Sequence, residues 1–140
     1  MISRTECLSY LETLLEPNRF KDYCPNGLQV EGTNEIRLIV SGVTASQALL
    51  DEAVALGADT VLVHHGYFWP GEEPRVIGIK QRRLKQLLNN NINLIAYHLP
   101  LDAHSTLGNN AQLAQLLDLE IEGRISATGD PALALYGCFS

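Results

Sequence analysis

The stretch DTVLVHHGYFWP, residues 59–70, joins an apolar segment directly to two adjacent histidines, a glycine and three aromatic residues. Its first part, TVLV, is a β-branched apolar run that is typical of a buried strand. His64 and His65 follow at once, although the whole chain of 140 residues contains only four histidines. Adjacent side chains on a regular strand point to opposite faces, so the pair can share one ion only if the backbone turns at Gly66. Otherwise each histidine serves a different ion.

Short apolar runs alternate with helical segments along the rest of the chain. Ser3 and Glu6 form a capping box that opens a helix predicted to end near Glu16. The segment 22–32, DYCPNGLQVEG, carries the proline and Asn-Gly signals of a loop. Apolar spacing predicts the remaining elements. These are strands over 36–43, 60–63 and 92–98, and helices over 44–58, 79–89 and 108–120, the last with Leu113, Leu116 and Leu117 inward.

Strands that alternate with helices indicate parallel βαβ units. We therefore predict an α/β fold, a three-layer sandwich with a mostly parallel sheet built from βα units. Residues 1–125 are expected to form one α/β domain. The segment 126–140 contains turn signals and a strand-like run over 132–139. We interpret it as the start of a further strand that belongs to a truncated second half.

The composition is that of a soluble globular protein, with 46% apolar and 19% charged residues. No apolar run approaches the roughly 20 residues that span a bilayer, and the N-terminus lacks the features of a signal peptide. The three cysteines are far apart and include no C-x-x-C pair, which is typical of free thiols in a reducing compartment. We therefore expect a cytoplasmic protein with no membrane partner.

Charge and motifs argue against several classes of function. The net charge of −6 disfavours binding to a phosphate backbone, which requires a basic surface. Four basic residues are concentrated between Lys80 and Lys85, and we interpret them as a solvated helix face, with a nucleic-acid patch as the alternative. The glycine signatures of Rossmann and P-loop nucleotide sites are absent.

All four histidines follow the ends of predicted strands. His98 ends the strand over 92–98, and Asp102 and His104 come shortly after it. Ligands of open parallel sheets bind at the carboxyl ends of the strands, so these side chains are expected to converge. Imidazoles with a carboxylate suit a divalent metal such as zinc, manganese or iron. Two ions roughly 3.5–4 Å apart would accommodate the adjacent histidines and generate a nucleophile for hydrolysis.

The neighbouring side chains have less specific roles. His98 can act as a metal ligand, as a partner of a ligand or as a proton donor, and we take it as the candidate catalytic residue. His104 is the weaker candidate because it lies near the start of the next helix. Tyr67, Phe68 and Trp69 either line a ligand pocket or anchor their loop by packing.

Three segments together resemble a known protein family. They are NGLQVEG (26–32), SGVTAS followed by DEAVALGADTVLVHHGYFW (41–69), and NLIAYHLPLDAHSTLGNNAQLAQ (93–115). In content and order they are similar to the NGG-interacting-factor-three-like proteins, some of which are named GTP cyclohydrolase 1 type 2 homologues. The resemblance covers residues 1 to about 125.

The resemblance implies a dinuclear site with two divalent ions and metal ligands at His64, His65 and Asp102. It also implies a toroidal homohexamer whose metal sites face a central cavity. Members of the family are longer, and their second half supplies a His-x-x-x-Glu pair that completes the two-metal site. This chain contains no such pair, so we expect it to hold metal weakly or to be metal-free.

Two functions follow as hypotheses. The first is a metal-dependent hydrolase that acts on a nucleotide, as a GTP cyclohydrolase does, or on a related small molecule. The alternative is a metal-stabilised hexameric scaffold or regulatory adaptor without catalysis, since no motif specific for a substrate is present.

Overall fold

The chain forms an α/β fold in the computed structural model, which describes residues 1–128 and 131–139. Its helices are α1 (Arg4–Leu15), α2 (Gln47–Ala55), α3 (Gly78–Asn89), α4 (Leu99–Ala103) and α5 (Asn109–Leu116). Its strands are β1 (Ile2–Ser3), β2 (Gly27–Val30), β3 (Glu35–Ile36), β4 (Ile39–Thr44), β5 (Thr60–His65), β6 (Asn93–Ala96), β7 (Leu119–Arg124) and β8 (Leu135–Phe139). Short 3-10 turns cover Pro17–Arg19 and Ser126–Thr128.

A four-stranded sheet in the order β2-β6-β5-β4 forms the centre of the fold. β4, β5 and β6 are parallel, and β2 runs antiparallel to β6 at one edge. The prediction of an α/β fold with a mostly parallel sheet is confirmed. In this register Thr44 lies opposite His65, and Val63 lies opposite Ala96. The carboxyl ends of the three parallel strands therefore meet at one edge of the sheet.

The side chains of β5 alternate between two apolar clusters. Val61 and Val63 belong to the cluster that also contains Leu50 of α2 and Leu87 of α3. Leu62 packs against the other cluster, which includes residues of α1. Burial of each such side chain stabilises the fold by about 1.5–3 kcal/mol, so the sheet is held by apolar contacts on either side of β5. The finer arrangement as a three-layer sandwich stays a prediction.

The first helix forms where its capping signal predicts. The Ser3 N–H donates to the Glu6 carboxylate at 2.8 Å, and the Glu6 N–H donates to Ser3 Oγ at 3.1 Å. Glu16 adopts a left-handed conformation, with φ 47°, and ends α1 before Pro17. The predicted helix from Ser3 to about Glu16 is confirmed.

Three sequence-based assignments are wrong. The single strand predicted over 36–43 is divided into β3 and β4, which belong to different sheets, because the backbone N–H groups between them donate to the Asp59 carboxylate. The segment 22–32, predicted as a loop, contains β2, because its turn signals hide a strand of only four residues. The helix predicted over 108–120 ends at Leu116, and β7 follows after Asp118 adopts φ 53°. The three leucines expected inward on this helix are exposed, at 54% for Leu113, 81% for Leu116 and 52% for Leu117. α5 instead packs through its buried alanines, Ala111 and Ala114.

The last part of the chain forms an antiparallel pair of strands, β7 with β8. The strand-like run over 132–139 corresponds to β8, while the predicted domain boundary at residue 125 stays a prediction. Within residues 1–128 and 131–139, no helix combines the length and the apolar character needed to cross a membrane.

Candidate metal centre

β5 continues through both adjacent histidines, so they start from opposite faces of the strand. His65 lies beside Thr44 of β4, with 3.3 Å between its Nδ1 and the Thr44 hydroxyl. The rings of His64 and His65 nevertheless meet over the end of the sheet, with centroids 4.4 Å apart. A shared centre therefore does not require the backbone to turn at Gly66.

His98 completes a group of three imidazoles. His98 lies between β6 and α4. Tyr97 separates it from the last residue of β6, and the first residue of α4 follows it directly. Its ring centroid lies 4.9 Å from that of His64 and 5.6 Å from that of His65. One ligating atom from each of the three residues lies within 4.8 Å of the others. The predicted convergence of strand-end histidines is therefore present in the fold.

Asp102 adds a carboxylate to this group from α4. Its Oδ1 lies 2.9 Å from His64 Nε2 and accepts a hydrogen bond from Asn109 Nδ2 at 2.8 Å. Burial alone raises the pKa of Asp102, but the hydrogen bonds from His64 and Asn109 outweigh it and hold the pKa below its usual range. A carboxylate can only accept, so His64 donates through Nε2.

The surroundings of His65 favour its neutral form. Burial lowers the pKa of His65, and the positive charges that His64 and His98 can carry lower it further, against the opposing effect of Asp102. The neutral imidazole is the form that binds metal ions. The pKa of His65 therefore favours ligation at neutral pH.

Asp22 belongs to the same region, although it lies in a segment predicted as a loop and carries no metal-site signal in the sequence. Its Oδ1 lies 3.0 Å from His98 Nδ1, and its Oδ2 accepts hydrogen bonds from Leu99 N at 2.9 Å and Asn26 Nδ2 at 3.0 Å. The side chain is only 3% exposed. Burial alone raises the pKa of Asp22, yet the hydrogen bonds from His98, Asn26 and Leu99 lower it to about 2. Asp22 is therefore an ionised acceptor that fixes the His98 ring.

Cys24 lies beside the same carboxylate, with its Sγ 3.6 Å from Asp22 Oδ1. By distance alone, Asp22, Cys24 and His98 could also hold a metal ion. Burial, and then the negative charge of Asp22, raise the pKa of Cys24 to about 12, so the thiol stays protonated. The oxygens of Asp22 already accept several hydrogen bonds. We therefore interpret Asp22 and Cys24 as residues that position His98, and not as ligands of a second metal ion.

Gly66 allows the chain to leave β5 close to its neighbours. A Cβ at this position would collide with Gln29 Oε1 and lie 2.8 Å from the Ala96 Cβ. The same Gln29 oxygen accepts a hydrogen bond from Tyr67 N at 2.7 Å. The glycine after the two histidines is therefore required by the close approach of β2 and β6.

The three aromatic residues after Gly66 have different roles. Tyr67 is buried and its hydroxyl donates to the Ala45 carbonyl at 2.8 Å, so it anchors the loop by packing. Trp69 forms a wall of the site, with ring centroids 5.1 Å from His98 and 5.8 Å from His65. Phe68 is 39% exposed. Both roles considered for this segment therefore occur: Trp69 lines the site, and Tyr67 anchors the loop.

His104, the fourth histidine, makes its contacts outside the histidine cluster that His64, His65 and His98 form. Its Nδ1 accepts hydrogen bonds from Leu107 N at 3.0 Å and Thr106 N at 3.3 Å. It belongs to neither candidate metal-ligating group among the residues that the structure describes. Its contacts are those of a residue that stabilises the turn before α5.

The donor set fits a divalent metal ion. Two ligands of one tetrahedral zinc ion, each bonded at about 2.0–2.1 Å, lie about 3.3 Å apart. The 2.9 Å between His64 Nε2 and Asp102 Oδ1 is close to that separation. Loss of the proton from His64 Nε2 would free this nitrogen, together with the Asp102 oxygen that now accepts from it, to bind a common ion.

A parallel sheet that gathers three imidazoles and a carboxylate at its carboxyl edge defines a class of candidate metal-binding α/β proteins. The model of the Duf34/NIF3 (NGG1p interacting factor 3) family matches residues 2–136 of this chain. The chain belongs to this family, in agreement with the resemblance seen in its sequence.

Individual relatives match closely. The chain is 63% identical over 123 residues to the GTP cyclohydrolase 1 type 2 homolog of Pseudomonas aeruginosa, covering 88% of this chain and 49% of the relative. The corresponding Escherichia coli K12 protein is 59% identical over 124 residues, covering 89% and 50%. The solved structure of the protein ybgI, of unknown function, has a TM-score of 0.86 at 58% identity and covers 88% and 50%. The chain thus spans about half the length of the curated relatives it matches.

Proposed function

We propose that this chain contributes His64, His65 and Asp102 as ligands to a centre of two divalent metal ions. The strongest support is that one ring nitrogen from each of three histidines lies within 4.8 Å of the other two. The Asp102 carboxylate lies 2.9 Å from the nearest of these rings, that of His64. Nitrogen and carboxylate ligands suit zinc, iron and manganese. With three protein ligands from this chain, weak metal binding stays our expectation.

His98 is proposed as the catalytic residue. Its Nδ1 is held by the ionised Asp22 at 3.0 Å, which leaves Nε2 to exchange a proton with a bound molecule. The Trp69 ring packs against it and, with Asp22, limits its rotation. When bound, the metal ions supply Lewis acidity and lower the pKa of a coordinated water.

The reaction we propose is hydrolysis of a nucleotide, as in a GTP cyclohydrolase, or of a related small molecule. The name of the Pseudomonas aeruginosa relative supports this substrate class. His65 and His98 also line a cavity of about 470 Å³, which is of the size that binds small ligands. The activity belongs to the whole protein, of which this chain spans about half the length of the relatives.

The test is a zinc titration by calorimetry of the wild-type chain, His65→Ala and His104→Ala. We expect His65→Ala to weaken zinc binding at least about tenfold, because it removes a ligand from the cluster. His104→Ala is the matched control and should bind zinc as the wild type does, because its ring contacts a turn instead. Equal zinc affinity in the wild type and His65→Ala would exclude the proposed centre. Turnover of GTP with and without metal then tests the reaction.

A metal-stabilised homohexameric scaffold without catalysis is the second proposal. β4 lies at an edge of the four-stranded sheet, and its Ile39 and Val43 are 41% and 68% exposed. An apolar edge strand is a template for association with another chain. Light scattering that gives the mass of a hexamer, together with no nucleotide turnover above the metal-free control, would favour this proposal. A monomer would exclude it.

A further inference from the structure

Arg83 on α3 faces the cavity beside the candidate metal centre. It lines the same cavity of about 470 Å³ as His65 and His98. Its Nε is buried and has no hydrogen-bond partner among the described residues. The centre of its guanidinium lies 5.9 Å from the ring of Tyr67, which is itself fixed by its hydrogen bond to Ala45. Tyr67 thus contacts the guanidinium through its ring and not through a hydrogen-bond acceptor, so within residues 1–128 and 131–139 the buried Nε–H of Arg83 stays unpaired.

Most other cationic side chains of the described residues have partners. The ion pairs are Arg4 with Glu31, Arg19 with Glu16, Arg37 with Glu35, Arg75 with Glu73 and Lys80 with Glu72. Arg124 donates to two backbone carbonyls. Lys21, Arg82 and Lys85 are exposed to water. Within residues 1–128 and 131–139, Arg83 is therefore the half-buried basic residue whose side chain has neither a carboxylate nor a backbone carbonyl as a partner.

The acidic residue of this cavity is already engaged elsewhere. Glu72 also lines the cavity, but its Oε2 accepts a hydrogen bond from Phe68 N at 3.1 Å and lies 3.9 Å from Lys80 Nζ. Lys80 therefore balances the charge of Glu72, and the charge of Arg83 stays uncompensated. A partly desolvated cation with unpaired donors is costly unless a ligand pairs with it.

Arg83 is not part of the solvated helix face that the sequence predicts for the Lys80–Lys85 segment. Arg82 is exposed, whereas Arg83 is turned toward Tyr67 and the cavity. Two neighbouring arginines on one helix thus have different surroundings, and they provide a matched pair for experiment.

We propose that Arg83 binds an anionic group, a carboxylate or a phosphate, of a ligand that lies between Arg83 and the histidine cluster. The planar fork of a guanidinium matches two oxygens of either group, and its pairing adds both charge and direction. Arg83 is then a residue that determines specificity for anion-bearing molecules. The assignment of that ligand as the substrate of the metal centre rests on the proposed function, whereas binding of the anion does not.

The test uses metal-free protein, prepared with a chelator, so that an anion cannot bind through a metal ion. Inorganic phosphate and acetate are titrated separately and followed by the Trp69 indole N–H signal in NMR spectra. We expect saturable binding by the wild type and Arg82→Ala, and at least about tenfold weaker binding by Arg83→Ala. Arg83→Lys keeps the charge without the fork and should bind with intermediate affinity. The tighter of the two anions identifies the class of group.

Equal anion affinity in Arg83→Ala and Arg82→Ala, or no binding by the wild type, would overturn the proposal. If Arg83→Ala loses its fold by circular dichroism, Arg83→Lys and Arg83→Gln decide the question in its place. Loss of anion binding only in the Arg83 variants supports the proposal even if the zinc titration fails. The two results therefore separate this inference from the proposed metal centre.

Discussion

Asp22 and His98 are 76 residues apart in the chain and form a buried hydrogen bond of 3.0 Å between Oδ1 and Nδ1. Their side chains are 3% and 8% exposed. The pKa of Asp22 is lowered to about 2, so its carboxylate is ionised and the His98 Nδ1 is the donor. This fixes both the tautomer and the orientation of His98, as a carboxylate does for a histidine in many metal and catalytic sites.

Replacement of Asp22 by asparagine should lower the free energy of unfolding by about 2 kcal/mol, because charge-assisted hydrogen bonds are lost from a buried group. Urea unfolding at neutral pH measures this loss. Asp118→Asn is the control, since Asp118 is exposed and its left-handed conformation suits asparagine equally well. Equal stability of the two variants would contradict the structural role of Asp22.

The stability contributed by Asp22 should also depend on pH. Its pKa is depressed in the folded state, to about 2 from an ordinary value of 3.8, so the contribution is present above the unfolded pKa and is lost as pH falls through the folded value. The stability difference between the wild type and Asp22→Asn should therefore fall to about half by pH 3. Urea unfolding at pH 5, 4 and 3 checks this. A difference that is as large at pH 3 as at pH 5 would count against it.

Cys24 should report on the charge of Asp22. Burial and this carboxylate raise the pKa of Cys24 to about 12, so only about one thiol in ten thousand is ionised at pH 8. Asp22→Asn removes the negative charge and should speed alkylation of Cys24 by iodoacetamide, as measured by mass spectrometry of peptides. Cys7 is the internal control, because burial alone raises its pKa and its rate should not change. A rate increase shared by Cys7 would instead indicate general loosening.

The position of the candidate centre could be predicted because it depends on local rules. β5 ends in His64 and His65, the strand β6 leads into His98, and parallel strands bring their carboxyl ends to one edge. The apolar and polar pattern near each strand end carries this information. The capping box at Ser3 is another local signal, and it located the start of α1.

Asp22 and Arg83 could not be assigned from sequence, because their roles depend on contacts far along the chain. Asp22 lies in a segment with loop signals, and its partner His98 follows 76 residues later. Arg83 sits in a basic segment that is typical of a solvated helix face, and it differs from Arg82 only through its tertiary surroundings, the Tyr67 ring and the cavity. β2 was missed for a similar reason, since its pairing with β6 is antiparallel and distant in sequence.

Asn109 should tune metal binding without being a ligand. Its Nδ2 donates to Asp102 Oδ1 at 2.8 Å and so orients that carboxylate. Asn109→Ala should weaken zinc binding about tenfold, since partners of metal ligands typically contribute 10–100-fold to affinity. Asn110→Ala is the matched control, because Asn110 occupies the same helix turn but donates to the Leu133 carbonyl. Equal losses in both variants, measured by calorimetry, would assign the effect to α5 as a whole.

Asn93 should be the most sensitive polar residue of the sheet. It is fully buried, its Oδ1 accepts from Gly32 N at 2.8 Å, and its Nδ2 donates to the Thr33 carbonyl at 2.9 Å. Asn93→Ala leaves both groups unpaired and should lower the free energy of unfolding by about 3 kcal/mol, as measured in urea. Asn89→Ala, an exposed position at the end of α3, should change stability by less than about 0.5 kcal/mol. Equal stability of the two variants would contradict this role of Asn93. Water would then have to replace the hydrogen bonds that Asn93 makes to the loop before β3.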